Sequence, residues 1–423
     1  MHVQGDIKLS IPRRPMKEIK FPDFPRAEYV KRYARTQQII REHGIDALFL
    51  TQRQNLRYFA GLRDGGWDAH HFYFLTILPA EGEPVLMAAN GFDNLMKQCW
   101  IDDIRYWPWH KEFYMAKESH SISLVIDTLT ERGLDTGVIG MELGPDMHVN
   151  LGQLHFDSLR QGLANAKIMD GSDAVWEIRS VKSRAEIDRL RKAVDISVKG
   201  VRAGFENLKP GMTEKQVVDV MLSVMCAEGA SEQRFNALYA GQRAMWADGL
   251  PTNNVIQKGD LVQFDGGCIY EGYWCDFKRM AAVGTPRPDQ RHFFELAKEG
   301  LFAAIEAIKP GVPFHVPFQD AFAVNDAAGY SAFSKWCLEN GYSAIGHSLG
   351  LDIHEPPGLS ATNKTLFQEN MVLCVEPFIT LNGSYPFWEA EEKFGLEDVV
   401  LVTKDGTEIL TAEDIISHDL WDV

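Results

Sequence analysis

The sequence predicts an α/β domain followed by an α+β domain. Three observations support this: apolar runs and amphipathic stretches alternate over the first 170 residues, a long charged helical stretch then intervenes, and glycine-punctuated strands dominate from about Asn236. The length of 423 residues suits two or three domains of ordinary size. Residues 1–27 carry Pro12, Pro15, Pro22 and Pro25 among charges and read as an extended arm. From Arg26 to His43, Tyr29, Tyr33, Ile39 and Ile40 recur at helical spacing, and Gly44 stops the helix. Ile45 to Thr51 follows as a buried strand. Further strands are expected at Phe72–Leu78, Pro84–Ala88, Ile104–Trp107 and Gly137–Glu142, with helices at Asp93–Trp100, Ser121–Arg132 and Leu151–Leu159. These elements fill residues 28–172.

Residues 173–423 form the second domain. A long helix or helix pair runs from Ala174 to Leu208 and ends at Pro210-Gly211, and Thr213 opens another with Glu214 in its first turn. Strands then alternate with glycines, and two helices are expected near Phe293–Ile308 and Pro317–Ala327. No repeat or low-complexity tract is evident.

Composition excludes several function classes. The formal charge of -16 repels nucleic acid and anionic membrane surfaces, and no basic patch offsets it. Apolar runs under ten residues cannot span a bilayer, and the charged N-terminus does not read as a signal peptide, so the expected location is cytoplasmic. Six cysteines scattered singly, without a C-x-x-C pair, read as reduced and mostly buried thiols.

The chemistry concentrates in four segments. In GDLVQFDGGCIYEGYWCD, Asp265 ends an apolar strand and Asp276 lies eleven residues on, across a hairpin that can bring the two together. Close buried carboxylates repel unless a proton or a divalent cation lies between them. Alone, the segment also fits two solvated turn aspartates. GHSLGLDIHEPP adds His347 and His354, CVEP adds Glu376, and GLED adds Glu397. Two aspartates, a histidine and two glutamates form a hard, oxygen-rich donor set suited to Mn, Fe, Co or Zn.

Asp265, Asp276, His347, Glu376 and Glu397 resemble, in order and spacing, the metal ligands of the creatinase and aminopeptidase P branch of the M24 metallopeptidases. LRYFAGL and GEPVLMA are similar to the creatinase-type N-terminal domain, EIRSVKSRAEIDRLRKA to its interdomain helix, and the rest to a pita-bread catalytic domain. The resemblance implies two divalent ions, manganese first, that bridge and acidify a water. It makes Asp276 and Glu397 the bridging ligands, with Asp265 on one ion and His347 and Glu376 on the other. His354 matches the position that contacts substrate or developing charge.

Two departures bear on substrate. The family's peptidases carry a histidine seventeen residues before the first metal aspartate, where this chain has Asp248, and an arginine two residues before the last glutamate, where it has Gly395. An imidazole can donate to an oxyanion and a carboxylate opposes one, so Asp248 points to proton abstraction or to recognition of a cation, or else caps a turn. Trp246, Trp274 and Trp388 could wall a pocket for a cationic group, although core packing explains them equally well. WDAHH, with Trp67, Asp68, His70 and His71, lies where the family often caps the neighbouring subunit's site. The expected protein is a homodimeric hydrolase acting on a C–N bond of a small charged or dipeptide-like substrate. A metal-dependent lyase of the dimethylsulfoniopropionate type is the alternative, and a metal-free peptidase-like binding module is disfavoured by the retained ligands.

Overall fold

A computed structural model describes residues 23–63, 74–109, 120–245, 249–411 and 418–422. The chain divides into two compact units between Ser172 and Asp173.

The first unit is built on a six-stranded mixed sheet. Its strands are β1 (Ala47–Leu50), β2 (Leu75–Pro79), β3 (Val85–Ala89), β4 (Asp103–Trp107), β5 (Val138–Met141) and β6 (Lys167–Asp170), in the order β4-β3-β2-β1-β5-β6. β1 and β2 are buried along their whole length, as expected of strands covered on both faces. The helix His120–Glu131 buries Ile122, Val125 and Leu129 in the core at i, i+3 and i+7. Three elements differ from expectation. The helix Arg53–Ala60 and strand β6 went unrecognised, and the helix expected over Asp93–Trp100 closes after Met96. Trp100 leaves that helical path because its ring stacks on Tyr29 at 6.0 Å and its indole N–H donates to the Phe59 carbonyl at 2.7 Å. Of the arm, residues 1–22 lie outside the described residues; Asp23 accepts from Arg57 at 2.5 and 3.0 Å.

In the second unit the expected long helix is a pair, Ser172–Ser180 and Arg184–Asn207. Between them Val181 bridges to Met371, and Ser183 and Glu186 form a reciprocal cap that restarts the helix. One sheet contains β7 (Glu232–Ala240), β8 (Leu261–Tyr270), β9 (Tyr273–Trp274), β10 (Phe277–Ala282) and β17 (Trp421–Asp422). A second has the order β11 (Gly346–Ser348), β12 (Val372–Val375), β15 (Asp398–Val402), β16 (Thr407–Ile409), and β13 (Phe378–Thr380) pairs β14 (Lys393–Gly395). Helices Pro288–Ala307, His315–Ala327 and Ser331–Glu339 supply Phe293, Phe294, Leu301, Phe318, Phe322 and Phe333 to the apolar core under these strands. The last of the three was not anticipated. All six cysteines are free, and four are buried. Among the described residues no helix is long and apolar enough to cross a membrane.

Candidate metal centre

The β8–β9 hairpin turns on Glu271 (φ 48°) and Gly272 (φ 87°), the paired positive angles of a tight two-residue connection, which fixes Tyr270 opposite Tyr273. Beyond it, β10 runs antiparallel to β8 with Lys278 directly opposite Asp265. The other edge of Lys278 forms an isolated bridge to Glu397, with backbone N–H···O distances of 3.3 and 3.2 Å. Asp265, Lys278 and Glu397 are therefore cross-strand neighbours on one face. From the second sheet, His347 on β11 pairs with Cys374 on β12, two residues before Glu376. Close approach at both sites depends on glycine. A Cβ at Gly266 (φ 136°) would strike the Phe235 carbonyl, and one at Gly346 (φ 148°) the Cys374 carbonyl.

The result brings all five expected ligands into one cluster. Single donor atoms of Asp265, Asp276 and Glu397 lie within 4.8 Å of one another, as do those of Asp276, His347 and His354. His347 Nδ1 lies 3.1 Å from the Ser348 carbonyl, which can only accept, so the proton sits on Nδ1 and the lone pair on Nε2. That Nε2 is buried with no hydrogen-bond partner, as is Glu397 Oε1. Nε2 faces Asp276 Oδ2 at 3.9 Å, Glu376 Oε1 at 3.8 Å and Glu397 Oε1 at 3.9 Å. These separations are too long for hydrogen bonds and a few tenths of an ångström wider than the roughly 3.4 Å edge of a tetrahedral shell with bonds near 2.1 Å. Burial holds the His347 imidazole down at about 4, aided by His354 and Lys278, so it stays neutral as a metal ligand must. These residues fit a divalent ion.

On the opposite side, where Asp265, Asp276 and Glu397 also bring donor atoms close together, a lysine stands among the carboxylates. Lys278, which the sequence reading passed over, is buried with Nζ 2.9 Å from Asp265 Oδ2, 3.2 Å from Glu376 Oε2 and 3.8 Å from Glu397 Oε2. Burial opposes its charge, but Asp265, Glu376 and Glu397 outweigh it and hold the amine well above its ordinary range. Burial raises Asp265 and, with the charges of Asp276 and Glu376, raises Glu397 strongly; Glu376 is also opposed by burial, yet Lys278 and His347 bring it below the usual carboxylate range. Cys374 Sγ lies near His347 and Glu397, but burial and the surrounding carboxylates keep it a thiol, a poor ligand beside hard oxygens.

Around the centre, the His354 ring is exposed and 4.0 Å from that of His347. Its loop is anchored twice. The Trp274 backbone N–H donates to Gly350 at 2.9 Å and its indole N–H to Leu351 at 3.1 Å. Glu355 is held by Arg179 and, at 2.9 Å, by Lys182, and Arg179 also holds Asp352 at 2.8 Å. Trp388 is 55% exposed and packs with Trp336 and Tyr342 in a surface aromatic group. Trp246 and Asp248 lie outside the described residues, as do Trp67, Asp68, His70 and His71.

An α/β unit preceding an α+β unit that carries a hard-donor cluster has the arrangement of a two-domain protein with a candidate metal centre. Residues 188–404 match metallopeptidase family M24, and residues 32–181 match the creatinase/prolidase N-terminal domain. The chain belongs to metallopeptidase family M24, whose members share the pita-bread catalytic fold and work with a dinuclear metal centre. It is 29% identical over 376 residues to an uncharacterized peptidase of Staphylococcus saprophyticus, covering 88% of this chain and 96% of the relative. With a Xaa-Pro dipeptidase of Pyrococcus furiosus it shares 27% over 391 residues, covering 90% and 97% of the two chains. The crystal structure of the dipeptidase PepE from Mycobacterium ulcerans superposes with a TM-score of 0.78 at 25% identity, covering 94% of this chain and 98% of that one. The protein is thus an enzyme of the M24 peptidase family, a hydrolase.

Proposed function

We propose that the chain hydrolyses the C–N bond of a small, charged, dipeptide-like substrate with a divalent metal, manganese first, held by His347, Asp276, Glu376 and Glu397. The observation that carries this is His347 Nε2, its lone pair fixed by Ser348 and turned toward three carboxylate oxygens at 3.8–3.9 Å. A dipeptide-sized substrate draws support from the relatives named as Xaa-Pro dipeptidase and dipeptidase. The lyase alternative draws none from them.

When bound, the metal supplies an acidified water and polarises the substrate carbonyl. The chain's own groups do the rest. Exposed His354, beside the centre, donates to the oxygen on which charge develops. Trp274 ties the loop that carries it to the β8–β9 hairpin and so holds the imidazole at a fixed height above the ligands. Asp248 stands where the family's peptidases use histidine and sets which substrates are accepted.

The test is release of free amino acid from a panel of Xaa-Pro and other dipeptides and creatine-like amides by the manganese-loaded protein, with His347→Ala alongside. Hydrolysis of at least one class, falling by about 10²-fold or more in the variant, is expected. Metal-loaded protein that cleaves none of them would overturn the proposal. Light scattering on the same sample checks the homodimer that the family resemblance implies.

A further inference from the structure

Each of the two glutamates in the cluster divides its oxygens between two positions. Glu376 Oε1 and Glu397 Oε1 face His347, whereas Glu376 Oε2 and Glu397 Oε2 face the Lys278 ammonium, which also contacts Asp265. The resemblance to the family assigns Asp265, Asp276 and Glu397 to one ion and His347, Glu376, Asp276 and Glu397 to the other. A cation of this chain therefore already stands among the oxygens of the first ion.

We propose that the chain binds a single divalent ion, on the His347 side, and that the Lys278 ammonium replaces the second. An ion drawing on the same Asp265 and Glu397 oxygens would come into contact with Nζ, and two like charges would share one buried site. Nor can Lys278 readily withdraw. Its backbone is clamped between β8 and Glu397, and its side chain is 7% exposed. With one ion, the four carboxylates of Asp265, Asp276, Glu376 and Glu397, formally ionised, and the three positive charges of the ammonium and the ion leave one net negative charge; a second ion beside the ammonium would turn the buried site net positive. Glu376 and Glu397 then bridge an ammonium and a metal, and Asp265 faces the ammonium rather than the metal.

This rests on the metal-dependent function proposed above, and counting ions separates the two. Full-length protein is reconstituted with excess MnCl₂, desalted, and measured by elemental analysis and electron paramagnetic resonance. Wild type is expected to hold one manganese per chain with the spectrum of an isolated ion. Asp265→Asn should still hold one, because Asp265 faces the lysine. Lys278→Met, or Lys278→Ala if the first does not fold, should hold close to two, with the spectrum of a coupled pair. Two ions in wild type, loss of the ion in Asp265→Asn, or one ion in folded Lys278 variants would overturn the proposal and leave metal-dependent hydrolysis standing. No ion in any of them would overturn both.

Discussion

A carboxylate at position 248 opposes the negative charge that grows on a cleaved carbonyl, where an imidazole would stabilise it, so Asp248 either acts on a proton or a cation or serves only to cap a turn. Asp248→Asn keeps the shape and removes the charge. If Asp248 transfers a proton, kcat on the preferred substrate falls about 10²- to 10⁴-fold; if it binds a cation, KM rises and kcat holds. Steady-state kinetics distinguish the two, and an unchanged kcat/KM would discard both roles. The five clustered donors were legible because hard donors set in apolar strands are rare, and four widely spaced segments repeated the signal. Lys278 was equally open to view. It stands two residues after Asp276, so the strand's period of two places them on one face, and together with Arg279 it interrupts the apolar residues from Phe277 to Ala282. A single lysine reads as an edge residue until the register sets it opposite Asp265.

Among the elements, the loop carrying His354 owes its position to buried charge rather than to regular structure. Burial alone would raise the Glu355 carboxyl, but Arg179 and Lys182 bring it down from 4.5 to about 2. A carboxylate lowered on folding stabilises the native state fully above its unfolded pKa and loses that contribution as pH falls through the folded one. The window is therefore pH 4.5 down to about 2, and the contribution at neutral pH is about 3 kcal/mol. Glu355→Gln should cost about 3 kcal/mol at pH 7, since it takes the carboxylate from buried Lys182 and one of two from buried Arg179. Denaturant unfolding at pH 7, 4 and 3 should show the gap between wild type and variant narrowing as pH falls. A constant gap would mean that Glu355 acts through packing alone. This anchor was hard to foresee because its halves lie 176 residues apart, and the break between the paired helices carries neither glycine nor proline. The β8–β9 hairpin needed only the Glu271-Gly272 signal between apolar strands.

Over the molecule as a whole, carboxylates among the described residues are buried in three ways, and one of these calls for a metal. In the first unit Glu142 is satisfied by neutral donors: the Thr51 backbone and hydroxyl at 2.8 Å, the Gln52 backbone at 3.1 Å and the Asn55 amide at 2.7 Å. In the second, Asp398 is paired with Arg279 at 2.7 Å and reached by His418 at 2.6 Å. The cluster around His347 has one lysine for four carboxylates, and among the described residues every group of donors close enough to hold a metal falls in this unit. Metal should therefore stabilise Asp173–Val423 directly. Free metal at a hundredfold excess over its Kd adds about 2.7 kcal/mol, which for a domain of this size raises Tm by roughly 5–10 °C. Calorimetry with MnCl₂, then with a chelator, should show that rise and its reversal, and Asp276→Ala should abolish it, because removing this carboxylate takes away a donor facing His347 Nε2. A Tm indifferent to metal in wild type would mean that the four carboxylates are compensated by Lys278 and protons alone, and the folded state would then have no use for the donor atoms turned toward His347.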